Sequence, residues 1–240
     1  WNDGTEQEIF ATDELLEKFN INQVQKSPAR FDEKRLLWLN GQWIRKLTIE
    51  DLYKRLDQFW PPSAQNANND FKYKVTELVQ GRLKVMSDLP GLTNFFFAEP
   101  EPDLSLINND KQLSKISKED LKQLLDIVIL KLQTINDFKS VNIQTALNEL
   151  LAETNQKPMV LFSLIRIATT WSAFSPDLAP SLHLLGKKKT INRLKSLTNI
   201  LYQTTIVPQA QTSVQRRTSY RTRYRLIKNS KPSRRNFSRQ

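Results

Sequence analysis

The side chains that usually carry covalent chemistry are scarce in this chain. Among 240 residues there is one His, no Cys and only five Gly. His183 alone cannot build a Cys/His metal centre, and without thiols no disulfide can form. Carboxylates such as Glu119 and Asp120 fall where a helix begins and read as caps. No acid–base pair and no nucleophile–base pair stands out, so the sequence predicts no catalytic residue and no metal site. Leu185–Thr190 (LGKKKT) has the look of a phosphate loop. That pattern, however, needs Gly where Ser181 stands and Ser or Thr where Lys188 stands. The stretch reads as a helix closed by Gly186 and followed by a basic helix start.

Cations are abundant, and their chemistry is charge neutralisation. The formal net charge is +11, but it is unevenly spread. From Leu201 to Gln240 there are eight Arg, two Lys and no acid, whereas the first 200 residues are nearly balanced. A basic arm favours polyanions through electrostatics and counterion release. Lys187, Lys188, Lys189, Arg193 and Lys195 form a second cluster suited to phosphates. Adjacent lysines fan round a helix, so not all of them face one partner. Arg166 sits in an otherwise apolar stretch. Its planar fork either reaches a base edge or phosphate, or pairs with a carboxylate such as Asp177. Arg45 reads as a helix-end ion pair. Trp171 and Phe174 bracket a loop; they are either stacking surfaces or core plugs. His183 reads as a surface or capping residue. In the tail, Arg216–Arg225 (RRTSYRTRYR) interleaves Arg with Tyr. It is open to RNA contact or to being a solvated arm without a defined target.

Helices must position these groups. Thr12, Asp32, Thr48 and Ser117 each precede acidic residues and apolar helical spacing, as N-caps do. Leu121, Leu124, Leu125, Val128, Leu132 and Ile135 mark the clearest helix. Asp88-Leu89-Pro90-Gly91 reads as a break, with Phe95, Phe96 and Phe97 plugging a core after it. Pro158 suits the first turn of a helix running to Thr170, Ser175-Pro176 the cap of the next, and Ile191, Leu194, Leu197 and Leu201 the last. PPSAQNANND (Pro61–Asp70) reads as a polar linker. No alternating strand pair and no apolar run of the ~18 residues needed to cross a bilayer is present. Met159–Trp171, the best candidate, carries Arg166. A chain opening on Trp1 without a signal peptide reads as a fragment, a processed form or a trimmed chain.

The run Phe31–Leu47, FDEKRLLWLNGQWIRKL, resembles a segment of bacterial-type glutamyl-tRNA synthetases, class I enzymes, in Phe31, Asp32, Trp38, Asn40, Gly41 and Arg45. Five further stretches resemble the same family in order. They are Trp1–Phe10, Lys26–Asp32, Val79–Phe97 and the pair Lys157–Trp171 with Ser175–Leu194, which includes Gly186. The resemblance implies an all-α chain: a helical stem-contact segment (1–60) and, after the linker (61–70), an all-helical anticodon-binding cage (71–203). Residues 204–240, where apolar periodicity ends and Arg, Ser and Thr rise, read as a disordered basic tail with no counterpart in that family. It implies a glutamate-accepting tRNA as partner, with Arg166, Trp171, Lys187, Lys188, Lys189 and Arg193 on the RNA side. Phe31, Trp38 and Trp43 are expected to pack the stem-contact segment. The activation motifs of the family are missing. ATP, Mg²⁺ and L-glutamate therefore belong to a catalytic N-terminal half outside this chain, which should be inactive alone. A cytoplasmic monomer is implied. A stand-alone tRNA-binding module and a helical protein-interaction scaffold are the alternatives.

Overall fold

The computed structural model describes residues 1, 3–24 and 30–206, with side chains as far as 203. Among them every regular element is a helix, as the spacing predicts. Helix α1 (Thr12–Lys18) starts one residue earlier than expected, so Thr12 is its first helical residue and Ala11, not Thr12, the cap. It buries no side chain. Helix α2 (Glu33–Lys46) is opened by the Asp32 carboxylate, which accepts the Lys34 and Arg35 amides at 3.0 and 3.1 Å. Thr48 opens α3 (Ile49–Arg55) by accepting from the Asp51 amide at 3.2 Å. These oxygens satisfy amides that the first helical turn leaves without partners.

Helix α4 (Asn69–Val79) is capped by Asn68. Helix α5 (Leu89–Phe97) follows, with Pro90 in its first turn. The expected break at Asp88–Gly91 is therefore a start. Proline has no amide to lose there, and its fixed φ suits the helix. Then come α6 (Ser105–Asn108), α7 (Lys118–Thr134), α8 (Ser140–Thr154), α9 (Pro158–Thr170), α10 (Leu178–Leu185) and α11 (Lys187–Ile206). Ser117 caps α7 and also donates to Asp120 at 2.7 Å. The cap position of α10 is Asp177, one residue past the expected Ser175-Pro176.

The helices build two apolar cores. In the first, Ile44 of α2 and Leu52 and Leu56 of the α3 region pack with Val75 and Val79 of α4 and Phe96 of α5. In the second, α7 to α11 surround Leu125, Leu147, Leu164 and Leu194, all fully buried. The expected linker at 61–70 gives way to a packed connection. Pro62–Ala64 is a 3₁₀ turn, Ala64 is fully buried, and residues on both sides of it share the first core. Polar composition misleads here because Asn and Ser are also capping residues. Helix α11 continues to Ile206, two residues past the expected start of the tail; 207–240 lie outside the described residues.

Candidate nucleic-acid interface

The Trp–Leu–Asn–Gly step of α2 is a docking surface. Asn40 Nδ2 donates to the carbonyl of Lys84. Gly41 is buried, and a Cβ there would lie 3.2 Å from the Leu83 carbonyl oxygen and 3.4 Å from the Arg45 guanidinium. A side chain there would push the two backbones apart by a few tenths of an ångström. Gln80 reaches back, and its Nε2 donates to the Ile44 and Leu47 carbonyls at 3.2 and 2.8 Å, closing the C-terminal end of α2. The helix is thus clamped against the 3₁₀ turn Gln80–Arg82.

This clamp sets one wall of a cleft of about 780 Å³ lined by Arg45, Arg82, Lys84, Phe174 and Ser175. Arg45 comes from the last turn of α2, while Arg82 and Lys84 bracket the segment that α2 grips. The opposite wall is the loop between α9 and α10. There Ser172 Oγ donates to the Phe174 carbonyl at 2.7 Å and accepts the Phe174 amide at 3.2 Å, holding a tight turn. The turn leaves the Phe174 ring 80% exposed. Among the described residues, neither Arg45 nor Lys84 has a carboxylate within ion-pair distance. Arg45 is therefore not the helix-end ion pair expected of it. Asp88, the acid lining the cleft, spends its carboxylate on the Lys84 and Val85 amides at 3.0 and 3.1 Å. The cleft is cationic with an aromatic platform, a combination that suits a phosphate backbone and an unstacked base.

Arg166 borders a second cavity, of about 590 Å³, with Phe162, Asp177 and Pro180. It is half-buried, and its Nε donates to Ser175 Oγ at 2.9 Å. Burial, then the neighbouring charge of Arg82, pushes its pKa down, and Asp177 opposes this. The carboxylate expected as its partner pairs instead with Arg82, linking the 3₁₀ turn to the start of α10.

The remaining predicted residues do not gather at the cleft. Trp171, with φ +47, ends α9 and packs against the second core; three residues later Phe174 presents the exposed ring. Lys187 Nζ donates to the Gln133 and Ile135 carbonyls at 2.8 and 2.7 Å, so it caps the end of α7. Arg193 is 3% exposed. Its guanidinium donates to Glu99 and to the carbonyls of Phe95, Ala98 and Thr169. Buried among these acceptors, the guanidinium is out of reach of a phosphate, and the expectation of RNA contact at Arg193 gives way to a structural clamp. Lys188 and Lys189 are exposed at the start of α11. Gly186, at φ +84, ends α10 as predicted. His183 is exposed, and its Nδ1 lies 2.9 Å from the carbonyl of Phe138 in the connection between α7 and α8. Phe31, Trp38 and Trp43, expected to be packed, are 78, 43 and 42% exposed.

The arrangement has relatives. Residues 51–198 match the anticodon binding domain family, which covers more than half of the chain. The chain belongs to the anticodon-binding domain family. The chain is 34% identical over 203 residues to the glutamate–tRNA ligase of Corynebacterium jeikeium, and 30% identical over 195 residues to that of Flavobacterium psychrophilum. The alignments take in 82 and 81% of the chain but 40 and 38% of those proteins, and fall on their C-terminal part. The chain thus spans about two fifths of the length of the curated relatives it matches. The crystal structure of a glutamate tRNA ligase from Elizabethkingia meningosepticum, in complex with its amino acid, shares the fold. Its TM-score is 0.60 at 21% identity, over 84% of this chain and 39% of that one.

Arg82, Lys84 and Phe174 were not among the leading sequence candidates. Arg82 and Lys84 lie inside the matched run Val79–Phe97, so a basic pair two residues apart within a motif was the signal available. Phe174 was readable only as one of two aromatics bracketing a loop.

Proposed function

We propose that this anticodon-binding domain grips the anticodon arm of a glutamate-accepting tRNA, as the RNA-binding part of a glutamate–tRNA ligase. The observation that carries the reading is the cleft in which Arg45, Arg82 and Lys84 face the exposed ring of Phe174. The cations neutralise backbone phosphates, and the ring offers a stacking face to an unpaired base. The mechanism is positional. Holding the far end of the tRNA fixes where its acceptor end falls, and orientation of this kind lowers the entropy cost of the reaction. Activation of L-glutamate with ATP and Mg²⁺ belongs to a catalytic part outside these 240 residues. The exposed side chains of Leu16, Phe19, Phe31 and Trp38 support a polypeptide partner on the first segment. We assign that partner to the catalytic part. The working form is a cytoplasmic monomer.

Filter binding of glutamate-accepting tRNA across 50–200 mM salt tests the reading. Phosphate contact gives a negative log–log slope of about 0.7–0.9 per phosphate neutralised. Absence of salt-dependent binding in dilute buffer overturns it and favours a protein-interaction scaffold. Glutamylation of tRNA by the chain alone, with ATP and Mg²⁺ supplied, would overturn the division of labour.

A further inference from the structure

Arg82, which lines the cleft, and Asp177, which lines the second cavity, pair although they are 95 residues apart in sequence. Both side chains are exposed, at 55 and 68%, so water competes for the contact and little holds it closed. Asp177 occupies the N-cap position of α10, where an Asp ordinarily accepts from the first amides of the helix. Here its side chain makes no cap hydrogen bond. The amides of Leu178 and Ala179 begin the helix and have no partner within it, and Pro180 brings no amide at all. The carboxylate has therefore forgone a local partner for a distant guanidinium. Arg166 stands beside the pair, tied to Ser175 by its Nε. Asp177 and Arg166 line the same second cavity, while Arg82 and Ser175 line the first. A carboxylate and a phosphodiester offer an Arg fork the same two-oxygen geometry.

The geometry points to Asp177 as an intramolecular stand-in for a phosphate, which holds Arg82 in the free protein and must be displaced by a phosphodiester before Arg82 can bind it. Displacement has a low cost because Asp177 can turn back and cap α10. Arg82 and Arg166 would then both face the incoming phosphate without a carboxylate between them. The contact filters ligands: a polyanion held at several points supplies enough attraction to open it, and a weak monovalent anion does not. This inference rests on the proposed RNA-binding role for its biological ligand, but not for the displacement itself.

The test uses the full chain as wild type, Asp177→Asn, and Asp177→Asn combined with Arg82→Gln. The first arm measures tRNA affinity against salt. Asp177→Asn should bind about three- to tenfold tighter, with a slope steeper by about one phosphate, and Arg82→Gln should erase both gains. The second arm titrates pyrophosphate and follows the Arg82 Nε–Hε resonance by NMR. Asp177→Asn should bind it several-fold tighter at that resonance. Unchanged or weakened binding in both arms overturns the inference and leaves Asp177 as a strut between the 3₁₀ turn and α10. A gain for pyrophosphate with no tRNA binding by any variant keeps the displacement and removes the RNA-binding reading.

Discussion

Arg193 and Glu99 are 94 residues apart in sequence and meet in a two-pronged ion pair, Nε to Oε1 and Nη2 to Oε2, each 3.0 Å. The same guanidinium donates to the Thr169 carbonyl at 2.7 Å and to those of Phe95 and Ala98 at 3.0 and 3.2 Å. Phe95 belongs to the first core and Thr169 ends a helix of the second. One buried cation thus closes the carbonyl ends of α5 and α9, where the helix dipoles favour positive charge.

Removing it should therefore unlock the two cores from each other. Arg193→Ala should cost about 3 kcal/mol, because buried carbonyls lose their donors and a cavity remains. Arg193→Lys should recover little, since one ammonium cannot meet the planar set of acceptors. Glu99→Gln should cost under about 1 kcal/mol, because Glu99 is 70% exposed and water replaces the lost charge. Urea unfolding of the three variants checks the ranking. Equal losses for Arg193→Ala and Glu99→Gln would mean that the carbonyl contacts contribute nothing.

In the cleft, cations and ring should separate by their salt response. Lys84→Gln and Arg45→Gln should each weaken tRNA binding and flatten the salt slope by about one. Phe174→Ala should weaken binding by about 1–3 kcal/mol with the slope unchanged, and Phe174→Trp should restore it. Melting temperatures should stay near the parent value, since Phe174 is 80% exposed and makes no core contact. Loss of affinity in Phe174→Ala that follows the salt slope would assign the ring to shaping the loop rather than stacking.

Sequence reasoning reached the helices because caps and apolar spacing are local. Asp32, Thr48 and Ser117 accept the amides that their neighbours predict. It placed the cleft only in part. Which of several cations is spent on the protein depends on what lies across the fold, and Arg193 and Lys187 have their carbonyl acceptors 24 to 98 residues away. The choice between Trp171 and Phe174 depends on one left-handed residue that turns Trp171 inward. The supposed linker failed for a similar reason: the burial of Ala64 is set by residues beyond its own stretch.

Asn40 is expected to govern the cleft from a distance. It does not line the cavity, but its amide holds the Lys84 carbonyl and with it the stretch of backbone that carries Lys84. Asn40→Ala should cost about 1 kcal/mol of stability and weaken tRNA binding more than that loss of folding explains. Gly41→Ala should fail to give the helix-propensity gain of about 1 kcal/mol, because the Leu83 carbonyl oxygen lies 3.2 Å from the added carbon. Calorimetry with parallel binding measurements decides. An Asn40→Ala variant with unaltered affinity would show that the Lys84 backbone is held by other contacts.

Tyr73 gives a readout of the α3–α4 contact. Its hydroxyl donates to Glu50 Oε1 at 2.7 Å, and this hydrogen bond, with some burial and the charges of Glu50 and Glu77, pushes the phenol up to about 12 from an ordinary 10.0. A phenolate there would face two carboxylates. The group holds its proton more tightly folded than unfolded, so its contribution to stability is complete below pH 10 and disappears as pH rises through about 12. On Glu50 the same bond, first among its causes, holds the carboxyl below its usual range. That contribution is present above the ordinary carboxyl value and fades as pH falls through the lowered one. Ultraviolet titration of tyrosinate should show one of the five tyrosines ionising late. Glu50→Gln should bring it back towards 10, because an amide oxygen accepts the same proton without repelling the phenolate. If all the tyrosines titrate together in the parent chain, α3 and α4 are not held by this bond in solution.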